Sequence, residues 1–356
     1  MSFKVKFAGR FEVVHEGGAI SDDGKTISVK DADSAVVYFS CDTNYRLCPE
    51  VFAVPDDEKL DPRDNPSVRA RSFVSAAVEK GWAALLSEHE ADLASLLGRA
   101  SIDLDVDADD AKKTTDALIK EYKTGKRSRY LEETYWLFGR YLLVSSSRPG
   151  SLPANLQGVW TVHKESPWGA GYWHNINVQM NYWPAFSTNL AETFEGYINY
   201  NQAYMDATEA LADLAVIRSD LTGNFGKDGG NGWVIGVAAT PFKIYSDTSS
   251  GNLGFTTQMF WDYYEYTQDK TALNEIVYPV LYSAAQFITK IVVEDEDGNY
   301  LVAICDSPEQ YVNGSWYYTT GTTYAQTLAY INNYGALQCA KDLGIDLNNS
   351  ALLSSE

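Results

Sequence analysis

Two short stretches hold the side chains whose types and spacing could do chemistry. Residues 171–192 read GYWHNINVQMNYWPAFSTNLAE and set Asn175 and Asn177 among Tyr172, Trp173, Tyr182 and Trp183. Residues 304–314 read ICDSPEQYVNG and place Glu309 directly after a proline. Carboxamides two positions apart point roughly 200° away from each other on a helix but to the same side of an extended segment. Because SPWGAG just upstream discourages an early helix start, the extended reading is preferred, and two amides could then converge on a water or a hydroxyl. The competing reading is that they cap and brace a turn. The residue before Pro308 is pushed toward extended backbone, which leaves Glu309 on a constrained loop. A carboxyl held there beside Trp316, Tyr317 and Tyr318 would have its pKa raised, as a general acid requires. The plainer alternative makes Glu309 a first-turn helix residue.

The remaining chemistry-bearing groups narrow the choice. The four histidines are too scattered for a metal centre, although His163 and His174 flank the Asn-rich stretch and either could touch a ligand. Cys41, Cys48, Cys305 and Cys339 lack metal-site spacing and read as ordinary reduced thiols. No HExxH, CxxC or phosphate-loop pattern occurs. GNFGKDGGNGWVIG, residues 223–236, lacks the GK[ST] ending and reads as a flexible loop. No metal or cofactor is therefore expected. A formal charge of -20 repels polyanions, so nucleic acid and acidic membrane surfaces are poor partners while a neutral ligand is not disfavoured. Nine Trp and 24 Tyr offer faces on which sugar rings stack, or else core filler for a helical protein. No apolar run is long enough to cross a bilayer, and no secretory signal is visible at the start. Localisation stays open.

The elements that must position these groups change character along the chain. Residues 1–66 alternate as antiparallel strands, in FKVKFAGRFEVV, KTISVKD and SAVVYFSC, with turn signals at EGG and DDGK. Residues 67–127 form a helical linker region: a long helical pattern to about 100, the strand-like SIDLDVD, then the helix TTDALIKEYKTG. From 128 to 356 helices dominate, including LEETYWLFGRYLLVSSS, FTTQMFWDYYEYTQD, KTALNEIVYPVLYSAAQFITKIVVE and TYAQTLAYINNYGALQCAKDLG. Long connections at 145–172, 217–254 and 294–322 separate them, and such connections usually carry function. The layout predicts a mainly α protein whose site lies in the loops at one rim of a helical toroid.

GRYLLVSSSRPGSLPANLQGVW, PWGAGYWHNINVQMNYWPAFSTNLAE and CDSPEQ together resemble the glycoside hydrolase family 95 enzymes, the inverting alpha-L-fucosidases and alpha-L-galactosidases. The likeness continues through MFWDYYEYTQDKTALNEIVYPVL to GALQCAKDLGID. It implies an (α/α)6 barrel, of which about half is expected here, preceded by the later part of an N-terminal β domain. It also implies that Asn175 and Asn177 hold the attacking water and that Glu309 is the general acid, on a glycan substrate. Inversion needs the acid and an activated water on opposite faces of the sugar, with carboxyls roughly 6.5–9.5 Å apart. The family's base Asp falls beyond this sequence, so the chain alone is expected to be inactive or nearly so. Trp173, His174, Trp160 and Trp168 are the expected substrate-binding residues, with Arg148 and Gln157 shaping the rim.

Three positions depart from the family pattern. Tyr172-Trp173-His174 stands where Tyr-His-Thr or Tyr-Thr-Thr is common, at the place that faces the sugar near C5. Phe186 ends the Trp-Pro-Ala-Glu motif, and Ala325 replaces a common Asp. An alternative is a degenerate glycan-binding relative that keeps the pocket without turnover. A phosphorylase would need basic phosphate-binding groups, for which the loops offer only Arg148, His163 and Lys164.

Overall fold

The computed structural model describes residues 3–218, 230–245, 249–303 and 305–346. The chain divides into two compact units, one of residues 1–46 and 54–98, the other of residues 47–53 and 99–356.

In the first unit, β1 (Phe7–Glu16) pairs antiparallel with β4 (Ser34–Thr43), and β2 (Ala19–Asp22) with β3 (Ile27–Lys30). The register sets Phe11 opposite Phe39 and Val13 opposite Val37. Helix α1 (Glu50–Ala53) counts with the second unit. Returning to the first, α2 (Pro66–Lys80) packs on β1 and β4 through Pro66, Ala70 and Val74, one face at four-residue spacing. Asn65 caps it by accepting from Ser67 N at 3.1 Å, with Pro66 at the first helical position. The expected long helix from 67 breaks at Gly81, whose φ of 81° ends α2 before α3 (Trp82–Leu97). A positive φ of that size is open to glycine at no steric cost.

The second unit continues with α4 (Thr115–Lys123) and α5 (Arg129–Ser146). SIDLDVD forms no strand, because no second strand lies beside it to complete a ladder. Then follow β5 (Tyr172–Trp173), α6 (Asn177–Ser187), a 3-10 turn at Ala191–Phe194, and α7 (Glu195–Arg218). The strands β6 (Ala238–Thr240) and β7 (Lys243–Ile244) join β5 in a three-stranded sheet. After α8 (Ser250–Thr267), the segment read as one helix from 270 is broken. A short α9 (Lys270–Ala272) runs into a π turn at Leu273–Val277 before α10 (Tyr278–Lys290). Pro279 stands at the start of α10 and brings no N–H, so the turn preceding it gives up the regular ladder.

The connection expected at 294–322 is in fact two hairpins. One pairs β8 (Val292–Glu294) with β9 (Tyr300–Val302), the other β10 (Cys305–Val312) with β11 (Ser315–Thr319). Helix α11 (Thr323–Asp342) closes the described chain and packs on α8 and α10. α8 also packs against α6 and α10, so the unit is mainly helix against helix, as in part of an (α/α)6 barrel. Its centre is aromatic: Tyr182, Phe194, Tyr197 and Phe260 are fully buried. Phe194 stacks on Tyr197 at 4.7 Å and meets Tyr182 and Phe260 edge-on at 5.7 and 5.8 Å. Such ring pairs add about 0.5–1.5 kcal/mol each beyond the burial of their area.

Candidate active site

The Asn-rich stretch does not stay extended. After β5 the chain turns through 174–176, and α6 begins at Asn177, with Ile176 at φ -172° before it. Asn175 is therefore buried in the turn, at 8% exposure, while Asn177 is exposed on the first helical position. Oδ1 of Asn175 is buried without a hydrogen-bond partner among the described residues. Tyr182 is buried, but Trp183 is half exposed and does not pack inward beside it. Consecutive helical positions stand about 100° apart, so one face cannot take both rings.

The turn is held on several sides. His174 N donates to Val237 O at 2.8 Å, and Gln179 Nε2 donates to His174 O at 2.6 Å and Thr256 Oγ1 at 3.3 Å. The His174 ring has no exposed surface and lies parallel to Tyr200 at 6.4 Å. Burial pushes its pKa down to about 3, with the Gly236 and Val237 backbone opposing, so it is a neutral packed ring. The loop before β5 is tied to α6 by Asn181 Nδ2, which donates to Ala154 O at 3.1 Å, and by Tyr182 Oη, which accepts from Ala154 N at 3.0 Å. Trp160 lines a cleft of about 370 Å³ with Gln157, Asn181 and Ser146. Trp168 is 73% exposed and has a φ of 50°, in the left-handed region that few non-glycine residues adopt. Trp173 is half-buried with its Nε1 enclosed. His163 is exposed.

Glu309 lies where the β10–β11 register shifts, between the Asp306↔Tyr318 and Tyr311↔Trp316 pairs. It is a strand residue, so the first-turn helical alternative is discarded. Glu309, Tyr317 and Tyr318 are all exposed, so these two rings do not enclose the carboxyl. The Trp316 side chain lies outside the described residues, as do residues 223–229 of the glycine-rich segment.

Asp306, three residues before Glu309, is buried instead. Its carboxylate accepts from Ser249 Oγ at 2.8 Å and its carbonyl from Thr322 Oγ1 at 2.9 Å. Thr322 also caps α11 by accepting from Ala325 N. Two residues on, the phenol of Tyr324 lies 3.0 Å from Asn252 Oδ1 and 3.4 Å from the carbonyl of Asn175. Burial above all, then the charge of Asp306, raises the Tyr324 pKa well beyond the ordinary phenol range, which keeps the phenol protonated. Tyr324 thus touches the Asn175 turn and feels the Asp306 carboxylate.

Sequence reasoning missed Ser249, Asn252, Asp306, Thr322 and Tyr324. A usable signal lies in SSGNLGFTT, whose small and polar residues run through the first turns of α8 yet are buried at Ser250, Asn252, Thr256 and Thr257. Buried polar groups on a helix need partners, so such a run marks a packed polar junction. A larger cavity of about 670 Å³ lies between α10, the β8–β9 hairpin and α11, but none of the expected site residues lines it. Among the described residues no cluster of His, Cys, Asp or Glu could hold a metal ion, and no helix is long and apolar enough to cross a membrane.

Comparison with known proteins places this geometry in a family. “Probable alpha-fucosidase A” of Aspergillus niger is 30% identical over 319 residues, which is 85% of this chain and 38% of that protein. “Alpha-L-fucosidase 2” of Arabidopsis thaliana is 29% identical over 339 residues, covering 91% of this chain and again 38% of the relative. The chain thus spans well under half the length of either. A solved structure titled “Putative kojibiose phosphorylase from human microbiome” superposes with a TM-score of 0.59 at 10% identity, over the whole of this chain and 42% of its own, a likeness of fold alone. The model of the glycosyl hydrolase family 95 catalytic domain matches residues 81–355, and the chain belongs to that family.

Proposed function

We propose that this chain carries the acid and the water-holding amides of a glycoside hydrolase that removes terminal alpha-L-fucosyl or alpha-L-galactosyl residues with inversion. Glu309 protonates the leaving oxygen, and Asn175 and Asn177 orient the attacking water. Neutral amides suit that task because they fix a water without competing for its proton, which remains for a carboxylate base. Trp160, Trp168 and Trp173 offer faces for the glycan.

One observation carries the reading. Tyr324 contacts the Asn175 turn, and Thr322, two residues before it, holds Asp306, so the amide segment and the acid strand both rest on the start of α11. Glu309 follows Asp306 by three residues on the same strand, which supports placing the acid and the amides at one site. The names of the Aspergillus and Arabidopsis relatives support the L-fucosyl class.

The family resemblance assigns the base to an Asp outside these residues. Without it, the chain is expected to turn over about 10²–10⁴-fold more slowly than a complete site. The test is to follow an alpha-1,2-fucosylated oligosaccharide and an alpha-L-galactosyl counterpart by proton NMR. Slow release with the beta anomer formed first is expected. The alpha anomer appearing first overturns inversion, and fast turnover overturns the external base.

A second reading is favoured by the exposure of Glu309 beside Tyr317 and Tyr318. A catalytic acid works where water is excluded, so an exposed carboxyl fits a relative that binds glycans without hydrolysing them. That protein would bind L-fucose yet release nothing even from an activated aryl fucoside.

A further inference from the structure

We infer that Tyr324 is a positioning residue: its phenol fixes the peptide of Asn175 and thereby the direction in which the Asn175 carboxamide meets the bound sugar and the water beside it. The inference rests on the glycosidase reading given above and assigns a role to a residue outside the Asn-x-Asn and Ser-Pro-Glu motifs.

The ring is seated before it does anything. It lies against Gly251 of α8, where an added Cβ would overlap Cε1 and Cδ1, and meets Phe255 edge-on at 6.4 Å. Only a residue without a side chain leaves that space. From this seat Oη reaches two oxygens, Asn252 Oδ1 at 3.0 Å and Asn175 O at 3.4 Å, but a phenol has one proton. Asn252 Nδ2 is meanwhile buried without a partner among the described residues. Turning the Asn252 carboxamide over resolves both problems. Nδ2 then donates to the phenol oxygen, and the phenol proton is left for the Asn175 carbonyl. In that arrangement Asn252, Tyr324 and Asn175 form one directed chain of hydrogen bonds ending on the turn.

The consequence is specific. Asn175 is buried, and among the described residues its Oδ1 has no hydrogen-bond partner. Its orientation is set through its backbone, and α11 supplies the group that holds that backbone. The same helix turn holds the acid strand through Thr322 and Asp306, so the two halves of the site share one support.

The test uses the full chain and calorimetric titration with L-fucose and with a basic iminosugar of the L-fuco configuration. Tyr324→Phe removes one oxygen and keeps the ring. Loss of one net hydrogen bond predicts about five- to tenfold weaker binding. Asn175→Ala weakens binding at least as much, and the double variant binds no more weakly than Asn175→Ala alone, because the phenol acts through that side chain. Asn252→Ala reproduces a smaller loss by the same route and serves if Tyr324→Phe folds poorly. Additive losses in the double variant overturn the inference, as does a lowered melting temperature with affinity unchanged. No binding of either probe by the wild-type chain overturns the glycosidase reading and this inference with it, whereas binding with additive losses overturns this inference alone.

Discussion

Gly251 and Tyr324 interlock: the glycine's missing Cβ is the space that the tyrosine ring fills. The next glycine on that face of α8, Gly254, does the same for backbone, since its Cβ would stand 2.5 Å from the carbonyl oxygen of Leu328 on α11. These two positions let α8 and α11 approach closely where the site is supported. Gly251→Ala is expected to force the ring out of its seat, costing about 1–3 kcal/mol as overpacking does. Thermal melting gives the loss, and sugar titration of the folded fraction should show weaker binding as well. An alanine variant with unchanged melting and unchanged affinity would show that the ring has room to spare.

Thr322 serves α11 and the acid strand at once, accepting from Ala325 N and donating to Asp306 O. Thr322→Val keeps the shape and removes both bonds. Loss of the cap alone costs about 1 kcal/mol. Release of the Asp306 carbonyl adds a local effect, so amide exchange should accelerate across 305–312 more than across the middle of α11. Uniform acceleration along α11 with a protected strand would confine the role of Thr322 to capping.

Much of this was legible beforehand, and the gaps have physical causes. The strands in 7–43 follow from alternation in the sequence, and the helix at 323–342 from a face buried at Ala325, Leu328, Ala329 and Asn332. The break at Gly81 and the π turn before Pro279 were less visible, since local backbone choices there outweigh a continuous apolar pattern. Asn175 and Glu309 were singled out through motif resemblance, but their surroundings were not. The amide pair was expected on one extended side, whereas the helix starts between them and buries only Asn175. Tyr324 lies 72 residues from Asn252 and 149 from Asn175, and Thr322 lies 16 from Asp306. Contacts at that separation follow from the packing of α8 against α11, which no local pattern encodes.

Glu309 should separate substrates by their leaving groups. In protein that hydrolyses an L-fucoside, Glu309→Ala is expected to lower the rate on an oligosaccharide about 10²–10⁴-fold. An aryl fucoside, whose phenolate leaves without protonation, should lose far less. Steady-state rates on the two substrates decide the matter. Equal losses on both would remove Glu309 from the acid's role and point to a carboxyl elsewhere.

The buried His174 and the half-buried Asp262 set opposite pH dependences of stability. His174 titrates near 3 in the fold, against an ordinary value of 6.5. The unfolded chain therefore takes up the proton first, and stability that is full above pH 6.5 is lost as pH falls toward 3. Asp262 is pushed up to about 6, chiefly by burial and then by the charge of Glu265. There the folded state holds the proton more tightly, so stability falls as pH rises from about 4 through 6. Each fully buried group contributes a slope of about 1.4 kcal/mol per pH unit, and that of Asp262 is smaller because its carboxyl is partly exposed. Over pH 4–6 the two slopes oppose each other, and the wild-type chain should show a shallow profile from this pair. Single variants separate them. His174→Phe, which keeps a ring against Tyr200, should grow less stable on going from pH 4.5 to pH 6, and Asp262→Asn should grow more stable over the same interval. Urea denaturation at pH 4.5, 5.2 and 6 measures both. Slopes of the same sign in the two variants would mean that one of these groups is solvated in the fold, and the sign itself identifies which.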